Sequence, residues 1–236
     1  TIELPNSSSI WIADKNTIGI NEPVKLTWTS DQNITFEKII TLDENYLFSV
    51  DQRVINNSGL SFDLYPYGLS KRQGIPEMQN FFILHEGPLS ITDGVLEEYD
   101  YDDLKDDKKI KHSSVGGWIG MTDKYWQTAI IPNQNEPVQQ TYSYSFVDNI
   151  DNFQTDIVGE RIAVSNNASI SHNFKIFAGP KIVNIIDKYM EEYGFDGFDR
   201  SVDFGWFYFL TKPIFNVLEF ISVSYTHLTL PTTFGV

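Results

Sequence analysis

Four histidines and 32 acidic side chains are the groups in this 236-residue chain that could hold a metal or move a proton. Their spacing speaks against both uses. His85, His112, His172 and His227 stand alone, with no HExxH or His-x-His pair to seat zinc on one face of an element. A histidine scattered among strands usually fills surface or core. The densest acidic run, "DGVLEEYDYDDLKDD" from Asp93 to Asp107, lacks the D-x-[DN]-x-[DN]-G order with a Glu at the twelfth position that calcium needs. It reads as a solvated loop or edge strand, with Lys105, Lys108 and Lys109 as counter-charges. There is no phosphate-cradling glycine loop and no G-x-S-x-G elbow. With no cysteine, disulfides and thiolate metal sites are excluded. The expectation is therefore a protein without metal, cofactor or catalytic residues.

Composition narrows the partners. The net charge is -15, whereas nucleic-acid binders carry a basic footprint. No basic cluster is present to hold anionic lipid. At 41% hydrophobic and 14% aromatic, the chain can build the core of one large domain.

The elements are mostly β. "VKLTWT" places Val24, Leu26 and Trp28 on one face and Lys25, Thr27 and Thr29 on the other. "YLFSVDQRV" aligns Tyr46, Phe48, Val50 and Val54, and "ASISHNFKIF" aligns Ile170, Phe174 and Ile176. Turn clusters such as "NNSG", "YPYG", "IPNQNEP" and "SNNA" separate these runs. Many strands without a βαβ rhythm predict an antiparallel sandwich. Helix appears late. "GPKIVNIIDKYMEEYG" offers Pro180 as a first helical residue and Gly194 as a stop, with Ile182, Ile186, Tyr189 and Tyr193 on one face. Ser201 is positioned to cap a second helix.

That second helix is "GWFYFLTKPIFNVLEFI", Gly205–Ile221. A membrane-spanning helix needs roughly 20 consecutive apolar residues, and Lys212 with Pro213 interrupts this run. The segment instead suits a membrane–water interface. Phe207, Leu210, Ile214, Val217, Leu218 and Ile221 can enter the headgroup boundary, and Trp206 and Tyr208 suit the interface. Lys212 and Glu219 are expected to reach water. Burial of the apolar face against the β domain is the other expectation. The last stretch, "SVSYTHLTLPTTFGV", holds no acid, Lys or Arg. Residues 222–236 read as a non-native tail, of the kind a translated library adapter produces.

One block is distinctive: "GGWIGMTDKYWQTAIIP", Gly116 to Pro132. Its plain reading is two core strands around a tight turn, with the aromatics filling the core. Its spelling also resembles the signature near the end of the large periplasmic domain in the YidC family of bacterial membrane protein insertases. "FEKIITLDENYLFSVDQRVINNSG", "FKIFAGPKIVNIIDKY" and "DFGWFYFLTKPIFNVLEFI" follow that domain's order, with a leaning toward alphaproteobacterial members. The resemblance implies a mainly β fold, an antiparallel β-supersandwich like that of galactose mutarotases, followed by C-terminal α-helices. It implies a domain over 1–178, a packing helix and connection over 179–200, and an amphipathic interfacial helix over 201–221. It carries structural residues only. These are Gly116, Gly117, Trp118, Lys124, Tyr125, Trp126, Ala129 and Pro132 in the signature. In the helix they are Trp206, Phe207, Leu210, Lys212, Pro213, Ile214, Phe215, Leu218 and Ile221. Implied partners are membrane protein substrates, the Sec translocon with its accessory subunits, and the outer leaflet of the bacterial inner membrane, on whose periplasmic side this portion would lie. No nucleic acid is implied. The rival readings are a carbohydrate-binding or sugar-modifying sandwich, argued from its aromatics, and a pure protein-interaction module.

Overall fold

The computed structural model describes residues 2–76, 85–202, 210–215, 217–218 and 221–222. In chain order the strands are β1 (Ile12–Ala13), β2 (Val24–Thr29), β3 (Ile34–Leu42), β4 (Leu47–Asn56), β5 (Phe62–Leu64), β6 (Tyr67–Gln73), β7 (Gly87–Thr92) and β8 (Val95–Glu98). After the short helix α1 (Tyr101–Asp107) come β9 (Lys109–Val115), β10 (Trp118–Thr122), β11 (Trp126–Ile131), β12 (Pro137–Val147), β13 (Ile150–Gly159), β14 (Ile162–Val164) and β15 (Ala168–Pro180). Helix α2 (Val183–Tyr193) and a 3-10 turn at Phe198–Ser201 follow. Nine strands form one antiparallel sheet in the order β1-β2-β3-β4-β15-β11-β10-β7-β8, and four form a second, β6-β13-β12-β9. The mainly β, antiparallel supersandwich expected from the sequence is the fold.

The large sheet is apolar on both faces, and the two-residue period of its strands sorts the side chains. From β10, Ile119 and Met121 face the small sheet and Trp118 faces away. From β11, Ile130 faces the small sheet, whereas Ala129 and Ile131 face away. In β15, Phe174 and Phe177 divide in the same manner. The first face is closed by Val138, Tyr142, Phe153 and Ile157 of the small sheet, with Tyr101 and Leu104 of α1. The second is closed by Ile186 and Tyr189 of α2, with Phe195 and Phe198 beyond it.

Several sequence expectations are corrected here. The acidic run does supply an edge strand, β8, but Tyr101–Asp107 is a helix. Its two buried side chains, Tyr101 and Leu104, lie three apart among acids, which is too short a stripe to show a period. Pro180 ends β15 rather than opening a helix, paired with Trp126, and α2 begins at Val183. That delay turns the buried stripe to Val183, Ile186 and Tyr189, leaving Ile182 and Tyr193 exposed. Tyr46 belongs to the β3–β4 turn at positive φ, not to a strand face. Ser201 donates its hydroxyl back to the Phe198 carbonyl at 2.7 Å, and residues 203–209, where it is expected to cap a helix, lie outside the described residues. Gly194 ends α2 as expected, in the left-handed region with its N–H on the Met190 carbonyl.

The chain crosses from small sheet to large sheet at Gly116–Gly117, both left-handed at φ 67° and 72°. A Cβ on Gly117 would sit 2.1 Å from the Ile91 carbonyl oxygen, so the crossing needs both the conformation and the empty volume. Gly59 has a similar φ of 82° with open space around it. Urea denaturation should therefore show Gly59→Ala costing about 1 kcal/mol. Gly117→Ala should cost at least about 3 kcal/mol, because backbone overlap adds to the same conformational penalty. Equal costs would contradict this account of the crossing.

Candidate functional site

The described histidines have structural partners. His85 Nε2 lies 3.1 Å from the Pro88 carbonyl, and His112 Nε2 lies 2.8 Å from the Tyr99 hydroxyl. His172 Nε2 lies 2.9 Å from Glu136 Oε2 beside a cleft of about 390 Å³ between residues 132–136 and 171–175. Neither signature tryptophan lines that cleft.

The signature forms the expected hairpin, Ile119 opposite Ile130 and Gly120 opposite Ala129. It divides between core and surface. Trp118 and Ala129 have no exposure, and Pro132 is buried. Tyr125 and Trp126 instead stand 64% and 58% exposed at the tip, so the expectation that the aromatics fill the core holds for Trp118 alone. Lys124 lies over the Tyr125 ring at 5.1 Å. The tip is tied to the approach to α2. The Lys181 N–H donates to the Tyr125 carbonyl at 2.8 Å, and Lys181 Nζ to Thr122 Oγ1 at 2.9 Å.

The other end of the hairpin holds the segment after α2. Trp118 Nε1–H donates to the Asp196 carbonyl at 3.1 Å. Its ring meets Phe198 edge-on at 5.6 Å. Gln134 bridges the same parts. Its Oε1 accepts from the N–H groups of Gly117 (3.2 Å) and Asp196 (3.1 Å), and its Nε2 donates to the Gly117 and Pro132 carbonyls. Sequence reading took "IPNQNEP" as punctuation and missed this residue. The polar Gln between turn formers was the available signal, and its partner lies 62 positions away.

Helix α2 is fixed from the opposite side by Tyr189, whose hydroxyl donates to Asp43 Oδ2 at 2.5 Å. Asp43 Oδ1 also caps the β3–β4 turn through the N–H groups of Asn45 and Leu47. Burial first, and then the Asp43 carboxylate, holds the Tyr189 phenol well above its usual range.

Against this base sits a further helix, seen at residues 210–215, 217–218 and 221–222. It continues through Pro213. Lys212 does not reach for water. Its Nζ pairs with Asp187 of α2 at 2.9 Å and with Asp199 of the 3-10 turn at 3.2 Å, and the side chain is only 16% exposed. Leu210, Ile214, Val217, Leu218 and Ile221 are between 49% and 60% exposed. The expectation that this apolar face packs on the β domain is therefore overturned for these residues. Lys212 faces the domain, and these five apolar side chains are exposed. Phe215 is also part exposed, while Trp206 and Phe207 lie outside the described residues, as does the tail from 223 onward. Among the described residues no helix is long and apolar enough to cross a membrane.

Comparison with known proteins gives a consistent relation. The family described as the YidC periplasmic domain matches residues 1–217. The membrane protein insertase YidC of Rickettsia canadensis is 39% identical over 221 residues, covering 93% of this chain and 40% of that protein. The YidC of Rickettsia bellii is 38% identical with the same coverage. The chain thus spans 40% of the length of these relatives. Among solved structures, a galactose mutarotase related enzyme from Lactobacillus acidophilus aligns with a TM-score of 0.50 at 10% identity. It covers 71% of this chain and 70% of that one, a likeness of fold alone.

The Tyr189–Asp43 bond gives a pH dependence. A phenol whose folded pKa is raised contributes stability in full below its unfolded pKa of about 10, and that contribution is lost as pH rises above it. Tyr189→Phe should lower stability at neutral pH by about 1.5–3 kcal/mol, the range for a hydrogen bond to a charged group. It should also flatten the alkaline decline. Urea denaturation between neutral and strongly alkaline pH checks both, and an unchanged alkaline limb would contradict the assignment.

Proposed function

The chain belongs to the YidC family of membrane protein insertases, and on that premise we propose that it is the periplasmic part of an insertase acting on inner-membrane proteins. The observation that carries this is the family match across residues 1–217. The relatives' printed names concern insertion rather than catalysis, which supports a non-enzymatic domain. In this reading residues 1–178 are a periplasmic platform, 179–200 the packing helix and connection, 201–221 an interfacial helix, and 222–236 a non-native tail. The signature residues Gly116, Gly117, Trp118, Ala129 and Pro132 build the platform in this reading, and the contacts of Trp118 with Asp196 and Phe198 favour a structural role. Substrates are membrane proteins, alone or with the Sec translocon and its accessory subunits. The parent protein is reconstituted into vesicles with a single-span substrate to test this. A protease-protected substrate fragment is expected with the parent and not with empty vesicles, and its absence would count against the insertase reading.

The interfacial role of the helix rests on its outward stripe. Leu210, Ile214, Val217, Leu218 and Ile221 recur at spacings of three, four and seven, so they share one side. Burying one such side chain is worth about 1.5–3 kcal/mol. A charge at Ile214 and at Leu218 together should therefore weaken vesicle binding at least about tenfold. Flotation of the native and Ile214→Asp/Leu218→Asp chains checks this, with equal flotation as the contrary result.

A further inference from the structure

Helices that lie on membranes ordinarily carry Lys and Arg on the polar face, and these draw them to anionic lipid. This helix cannot work that way. Lys212 is the only Lys or Arg in the sequence after Arg200, and the structure commits it elsewhere. It is separated from the Leu210–Ile221 stripe by about half a helical turn. It points toward the domain, shared between Asp187 and Asp199. The lipid-facing side is left with apolar groups and no cation. The rest of the chain adds repulsion, at a net charge of -15.

We propose that the apolar stripe docks on electrically neutral, zwitterionic lipid by hydrophobic burial, and that Lys212 serves as an internal clamp that plays no part in recognising headgroup charge. This rests on the interfacial reading given above. It assigns the lipid class, which the charge distribution selects. A domain of this charge gains nothing from phosphatidylglycerol and is pushed from it, and added salt relieves that repulsion.

The test is flotation of the full chain with phosphatidylcholine vesicles and with vesicles that also contain phosphatidylglycerol, at low and high salt. Binding to phosphatidylcholine should equal or exceed binding to the anionic vesicles, and salt should leave it unchanged or strengthen it. Lys212→Gln should leave the ratio between the two vesicle types within about twofold. A lysine at the surface would instead give about a fivefold preference for anionic lipid. Tighter binding to the phosphatidylglycerol vesicles, weakened by salt and diminished in Lys212→Gln, would overturn the proposal while leaving the interfacial helix intact. Binding to neither vesicle would overturn the interfacial reading itself, and this proposal with it.

Discussion

A sheet that is apolar on both faces must be covered twice. That requirement governs the rest of this structure. The four-stranded sheet covers one face with Tyr142, Phe153 and Ile157. The other face, where Trp118, Ala129 and Phe177 emerge, would meet water without α2 and the Phe195–Phe198 segment. Exposing a patch of that kind is costly at about 25 cal/mol per Å². The C-terminal segment is therefore part of the domain's core and not an appendage to it. The Trp118–Asp196, Gln134–Asp196 and Tyr189–Asp43 hydrogen bonds fix where that cover sits. The packing is the driving term, and the polar contacts select one arrangement of it.

The fixed cover also becomes a mount. Asp187 on α2 and Asp199 on the 3-10 turn come from elements placed by the core, and together they hold one lysine of the next helix. A half-buried cation between two carboxylates needs both to offset its desolvation. The helix thus meets the domain through Lys212, while Leu210, Ile214, Val217, Leu218 and Ile221 are exposed. Its apolar stripe is left for an environment that the domain does not supply.

Much of this was legible in the residues. Alternation in "VKLTWT" and "ASISHNFKIF" gave strands, and Gly194 marked the end of α2. Those signals are local, set by a period of two or by a left-handed cap. What stayed hidden depends on partners far along the chain. Trp118 and Trp126 are alike in type and only eight residues apart, yet one is buried and the other exposed. Strand register decides that, not composition. Lys212 looked like a lysine reaching for water because its carboxylates lie 25 and 13 positions earlier. Helix α1 was missed because two buried side chains cannot display a helical period. The same scaffold occurs in a galactose mutarotase related enzyme, so the strands alone would not have separated catalysis from scaffolding.

Lys212 joins the core's second cover and the outward helix into one mechanical unit. Hydrogen–deuterium exchange read by mass spectrometry, comparing native and Lys212→Gln chains, tests it most directly. Exchange around residues 210–215 should be slow in the native chain and faster in the variant, with unchanged protection of β10, β11 and β15. Identical exchange around 210–215 in both chains would contradict it.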